Sequence, residues 1–204
     1  MTAVLEPILI KPMFRQALER RDEYATVVRA HVYLEKGLLP HSGGWAEQPA
    51  VRVRIDPARP GFMSTRIWLT DRAPPRIGPF ADPTLGPHTL EPPKNGSVCR
   101  IVTFPPDATF KGRIGSAEVA AYFNAMGSPG ASTYSAKAPH PYMQKTRTLD
   151  FCLVLEGEIT LVLDTEEVQL RAGDTVVQRG TNHAWSNRSD RNCVIAISSH
   201  DATE

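Results

Sequence analysis

The sequence predicts an all-β fold, a β-sandwich or barrel in the C-terminal half, accompanied by one short helix and an N-terminal extension. Two observations carry that prediction. From residue 139 onward short apolar segments follow one another with only turn signals between them, and no helical pattern intervenes. Upstream, further segments alternate apolar and polar residues with the period of two expected of a half-buried strand. A chain of 204 residues is long enough to bury one substantial core.

Taken in order, residues 14–24 place Phe14, Ala17 and Leu18 on one side of a helical wheel and are expected as a charged amphipathic helix. Residues 26–34 are richer in β-branched side chains and read as a strand, with helix as the alternative. Pro40, Gly43 and Gly44 mark a loop. Strands follow at 51–55, where Val51, Val53 and Ile55 alternate with Arg52 and Arg54, and at 65–70 around Ile67, Trp68 and Leu69. Prolines recur between 71 and 94, which implies an ordered but irregular connection. A strand at 97–104 is stopped by Pro105 and Pro106. Ser116 is the expected N-cap of a helix over 117–126, ended by Gly127. The strands expected after that are 151–155, 159–164, 167–170, 175–178, 183–187 and 193–198. Gly157-Glu158, Ala172-Gly173-Asp174 and Arg179-Gly180-Thr181-Asn182 supply their turns.

Composition narrows the function classes. Acids and bases nearly cancel to a formal net charge of +1, and no basic stripe stands out, which argues against nucleic acid as a partner. No apolar run is long enough to span a bilayer, and residues 1–12 lack the basic start and cleavage site of a secretory leader. Cys99, Cys152 and Cys193 are odd in number and lack redox or metal-finger spacing; Cys152 and Cys193 sit inside apolar runs and are expected as reduced core thiols, in a cytoplasmic protein.

Two motifs in the C-terminal half resemble those of the cupin superfamily, small barrels of the jelly-roll type. The first cupin motif runs Gly, five residues, His-x-His, three or four residues, Glu, six residues, Gly. Here Gly157 is preceded across six residues by Asp150 in the Glu position, with Thr146 and Gln144 in the places of the paired histidines and Ala138 in place of the leading Gly. The second runs Gly, Pro-x-Gly, two residues, His, three residues, Asn. Gly173 opens it, Gln178-Arg179-Gly180 replaces Pro-x-Gly, and His183 and Asn187 follow at the expected spacing. The phrasing around Leu155-Glu156-Gly157-Glu158 and His183-Ala184-Trp185 resembles small single-domain cupins of bacteria and fungi, some encoded near secondary-metabolite genes. The resemblance covers residues 51–204 and leaves 1–50 as an extension. Such extensions often add a strand to a partner's sheet, which implies a homodimer.

The resemblance also implies a site. Cupins typically hold one divalent metal on three histidines and a glutamate, because residues two apart on a strand face the same side. This chain keeps only His183 unchanged, with Asp150 conservatively replacing Glu. A metal site for Fe, Mn, Ni or Zn would need His140, Gln144, Asp150 and His183 together. Without metal, His183 facing Asp150 can act as general base or acid. Tyr142, Gln144, Thr146, Gln178, Trp185 and Arg100 are then expected to bind substrate. Arg147 falls out of phase and reads as a solvated charge, and for Arg100 the solvent-facing alternative stands beside the inward one. The favoured reading is an enzyme on a small oxygenated metabolite, without a cofactor, catalysing isomerisation, dehydration, cyclisation or decarboxylation. The alternatives are a metal-dependent, dioxygenase-like cupin and a non-catalytic small-molecule binding protein.

Overall fold

The computed structural model describes residues 53–76 and 86–203 with their side chains, and the backbone of four short strands nearer the N-terminus. The chain divides into two compact units, residues 1–49 with 78–80 and residues 50–77 with 81–204.

In the first unit, β1 (Met13–Phe14) pairs antiparallel with β4 (Val32–Tyr33), and β2 (Ala17–Arg20) pairs antiparallel with β3 (Thr26–Arg29). The helix expected over 14–24 is therefore corrected: Ala17–Arg20 is a strand, whose backbone is satisfied by its partner β3. A helical wheel drawn over so few apolar positions does not distinguish the two periods.

The second unit is a two-sheet β structure. β5 (Val53–Ile55), β6 (Met63–Thr70), β7 (Ser97–Phe104), β8 (Thr148–Glu156), β11 (Thr175–Arg179) and β13 (Cys193–Asp201) form a six-stranded sheet in the order β11-β8-β13-β7-β6-β5. β9 (Glu158–Leu163), β10 (Glu167–Arg171) and β12 (His183–Ser186) form a second sheet in the order β10-β9-β12. Every pairing is antiparallel, and the arrangement is the expected jelly-roll barrel. Inward residues of both sheets meet in one core: Val102, Phe104, Cys152, Val154 and Ile195 from the larger sheet, and Ile159, Leu161, Leu170 and Trp185 from the smaller. Helix α1 (Ser116–Ala125) adds Val119, Tyr122 and Phe123 to that cluster. Its N-cap is Gly115, one residue before the Ser116 expected, and Glu118 Oε2 accepts the Gly115 N–H at 2.9 Å. No described helix is long and apolar enough to cross a membrane.

Two features of the motifs prove structural. Gly157, between β8 and β9, has φ +78°, and a Cβ there would lie 2.7 Å from the Asn192 carbonyl oxygen, so only glycine fits. Asn187 is fully buried after β12; its Nδ2 donates to Phe104 O at 2.8 Å and Arg191 O at 2.7 Å, and its Oδ1 accepts from Ser189 N at 3.1 Å. It fastens the β12–β13 turn to the end of β7.

The outer face of β8 and β11 leaves Phe151, Leu153, Leu155 and Val177 exposed, with Val177 directly opposite Phe151.

Candidate functional site

Strand pairing sets the site by placing three residues in one row across the larger sheet: Gln178 of β11 and Ser199 of β13 each lie opposite Asp150 of β8. One step along, Cys152, Ile197 and Arg100 form the next row. Facing them from the smaller sheet are His183 and Trp185, two apart on β12 and therefore on one side. Between the sheets lies a cavity of about 50 Å³, room for a few water molecules, lined by Asp150, His183, Gln144, Thr146, Tyr142, Trp185 and Arg100 among others.

Gln144 lies outside the named strands, but its backbone is locked to His183 by a reciprocal pair, N–H to O at 2.8 Å and O from N–H at 2.9 Å. That pairing holds its side-chain amide beside the imidazole, with Gln144 Nε2 3.3 Å from His183 Nε2. His183 Nδ1 lies 2.9 Å from the Thr181 carbonyl oxygen. A carbonyl only accepts, so Nδ1 carries the proton and Nε2 presents a lone pair to the Gln144 amide and the cavity. The ring meets Trp185 edge-to-face, centroids 6.0 Å apart. Burial holds the His183 pKa below its ordinary value, while the Thr181 hydrogen bond and the Asp150 charge pull it up. At neutral pH the imidazole is neutral.

Asp150 is buried, and its Oδ1 has no hydrogen-bond partner. Arg100 is buried beside it, with Nη2 donating to Ser199 Oγ at 3.1 Å. Burial pushes the Arg100 pKa down and the Asp150 charge pushes it back. Thr146 Oγ1 shares a hydrogen bond of 2.7 Å with Thr148 Oγ1. Tyr142 donates its hydroxyl to Asp56 Oδ2 at 3.0 Å, and burial raises its pKa.

The Cupin_2 family model, described as a cupin domain, matches residues 131–199. Residues 131–199 are a cupin domain. "Phomopsin biosynthesis cluster protein C'" of Diaporthe leptostromiformis is 56% identical over 48 residues, 23% of this chain and 25% of that one. "Oryzines biosynthesis cluster protein J" of Aspergillus oryzae is 48% identical over 58 residues, 28% of this chain and 32% of that one. "Cupin-domain-containing oxidoreductase virC" of Hypocrea virens is 33% identical over 101 residues, 48% of this chain and 36% of that one. The matched segments thus span between a quarter and about a third of these relatives' own lengths.

The cupin domain does not assemble the donor set expected of a metal-binding cupin. Among the described residues, no group of three or more His, Cys, Asp or Glu side chains is gathered where it could hold an ion. At the cavity, His183 and Asp150 stand with an amide whose NH₂ faces the imidazole and a hydroxyl already paired to another hydroxyl, so the residues do not fit the group. The fourth expected ligand, His140, is elsewhere. It is absent from the residues lining the inner cavity and lines an outer cleft of about 650 Å³ with Asp107, Lys111, Tyr134, Ser186 and Arg188. The backbone N–H of Tyr142 donates to His140 Nδ1 at 3.2 Å, which places the proton on Nε2, 3.8 Å from Asp107 Oδ2. Pro139 and Pro141 break the strand alternation that would have turned this ring inward.

Other expected residues divide in the same way. Gln178 is buried but does not line the cavity: its Oε1 accepts the Thr181 hydroxyl, and its Nε2 is without a partner. Arg147 is exposed, as expected. Arg100 is inside, and the solvent-facing alternative is set aside; it shares parity with buried Val98, Val102 and Phe104, the signal that would have decided it from sequence. Sequence reasoning missed Arg59, Ser64, Cys152 and Ser199, all of which line the cavity. Burial pushes the Cys152 thiol up to about 12, so it is not a nucleophile at neutral pH.

Proposed function

We propose that the protein is a small-molecule enzyme that moves protons with His183 and Asp150, without a resident metal, in the isomerisation, dehydration, cyclisation or decarboxylation of an oxygenated metabolite. The observation that carries this reading is the His183 tautomer: a buried, neutral imidazole whose Nδ1–H is tied to a carbonyl and whose Nε2 lone pair faces the cavity. In that form Nε2 takes a proton from substrate, displacing the long contact to the Gln144 amide. The imidazolium that results is stabilised by the nearby Asp150 carboxylate, whose charge already favours protonation of this ring. Trp185 and the two sheets limit the access of water, so those charges act in a low dielectric. The relatives named for biosynthesis clusters support a place in secondary metabolism. A dioxygenase-like reading would need ligands that the cavity does not bring together.

The expected homodimer, in which the N-terminal extension adds a strand to a partner's sheet, is a further proposal; light scattering on purified protein tests it.

The acid–base reading is tested by incubating the protein with a panel of small hydroxy and keto acids in deuterated water. Mass spectrometry then reads solvent deuterium gained, or water or carbon dioxide lost. Turnover by the wild type that falls about a hundredfold or more in His183→Ala, and substantially in Asp150→Asn, supports it. Turnover unchanged in both variants would sink it, and binding without turnover across the panel would favour a non-catalytic binding protein.

A further inference from the structure

The cavity holds more unpartnered polar atoms than proton transfer needs. Arg59 Nη2, Ser64 Oγ, Arg100 Nε and Asp150 Oδ1 are all buried without a hydrogen-bond partner, and all four residues line the same space. Buried polar groups are normally satisfied, so four orphans around one cavity mark where a ligand's own polar atoms go.

Their types describe that ligand. Arg59 is held rigidly: its Nε donates to Asp56 Oδ2 at 2.6 Å, and its guanidinium carbon lies 3.6 Å from the Tyr142 ring centroid, 4.0 Å from that of Phe62 and 4.4 Å from that of Tyr122. Asp56 is itself fixed by the Tyr142 hydroxyl and by the Ala58 N–H at 3.0 Å. Arg59 therefore offers a fixed N–H whose charge is already matched. Arg100 is different. It makes no ion pair within 4.0 Å among the described residues although it is nearly fully buried, and the Asp150 charge acts on it only from beyond that distance. Water can satisfy an N–H but not a buried positive charge, whereas an anion satisfies both. Asp150 supplies the opposite need, a carboxylate oxygen awaiting a donor.

Resting on the acid–base reading of this same cavity, we propose that the substrate is a small hydroxycarboxylate. Its carboxylate sits on Arg100 Nε and Arg59 Nη2 beside the Ser64 hydroxyl, and its hydroxyl donates to Asp150 Oδ1. Arg59 is then a specificity-determining residue outside the matched cupin segment, fixed in place by Asp56 and three aromatic rings. The seated acid presents its carbon skeleton to the wall formed by His183 and Trp185.

Calorimetric titration with glycolate, acetate and glycolamide tests the assignment without requiring the true substrate. Glycolate is expected to bind at least about tenfold more tightly than glycolamide, which has the same shape but no charge, and more tightly than acetate, which lacks the hydroxyl. Ser64→Ala and Arg59→Leu are expected to weaken glycolate severalfold to tenfold, with circular dichroism confirming that each variant is folded. If Arg59→Leu does not fold, Ser64→Ala and the three-ligand series still decide. Glycolate and glycolamide binding alike, or no binding by any of the three, overturns the proposal. His183→Ala is expected to retain glycolate binding within a fewfold, so a selective carboxylate site that survives alongside unchanged turnover in that variant would sink the catalytic reading and leave this one standing.

Discussion

Two of the buried histidines, His183 and His140, lie within the cupin domain, and the difference between them bears on the proposed chemistry. His183 and His140 are both nearly inaccessible, and burial holds both neutral, His140 at a pKa of about 4. Their protons, however, are on opposite nitrogens. His183 gives its Nδ1–H to a carbonyl and turns a lone pair toward the inner cavity. His140 spends its only lone pair on the Tyr142 backbone N–H and turns an N–H toward Asp107. The first can accept a proton or a donor from a ligand. The second can do neither without losing a backbone hydrogen bond, so it is a fastener in the wall of the outer cleft. Since His140 is neutral at pH 7, its approach to Asp107 is not an ion pair there. Burial and proximity to a carboxylate, which the two rings share, are therefore poor guides to function; the direction of the lone pair separates them.

The largest expected effect that could break this comparison is on turnover. His183→Ala should cost about a hundredfold or more, whereas His140→Asn should leave turnover within a fewfold, because an Asn oxygen can accept the same N–H two residues on. Comparable losses in both would dissolve the distinction.

Next in size is the response of stability to acid. A histidine whose folded pKa is depressed contributes stability that is present above its unfolded pKa, near 6.5, and lost as pH falls toward the folded value. For His140 the window runs from 6.5 down to about 4, worth about 3 kcal/mol. His183 acts with the same sign. Asp107, which faces His140 and whose pKa burial raises, acts with the opposite sign where it titrates. Urea unfolding at pH 7 and pH 4 should show His140→Asn losing markedly less stability than the wild type. Equal losses would mean that His140 is not held neutral.

A smaller effect sharpens the His183 half of the comparison. Activity is expected to rise with pH through a pKa below 6.5 and to level off above it, since the neutral base is the active form. Gln144→Leu removes the donor that favours the neutral ring, and should move that limb upward by less than about one pH unit. A limb that stays put would show that the amide does not touch the working nitrogen. The smallest expected effect is on metal content. Protein grown with added Fe, Mn, Ni and Zn should carry little metal, and His183→Ala should not change the amount. One equivalent lost with His183 would contradict the acid–base account.

Much of the barrel was legible because strand periodicity is local. The segment at 97–104 matches its strand, and Gly157 and Gly173 mark turns that do require positive φ. Asp150 and His183 were found through motif spacing, which records the row and register that pairing later enforces. The arginines were harder. Arg59 sits in the turn-rich stretch between β5 and β6, and what makes it a site residue is Asp56 fastened to Tyr142, 86 positions away in sequence. No local pattern encodes such a contact. His140 failed for the converse reason: even spacing from Gln144 promised a shared face, but two flanking prolines take it out of any strand.

The central claim is most directly tested by ¹⁵N resonances of the histidine side chains at pH 7, assigned with His183→Ala and His140→Asn. The account predicts a neutral His183 with the proton on Nδ1 and a bare, pyridine-type Nε2, and a neutral His140 with the reverse pattern. A His183 that carries its proton on Nε2, or is charged at pH 7, would contradict it.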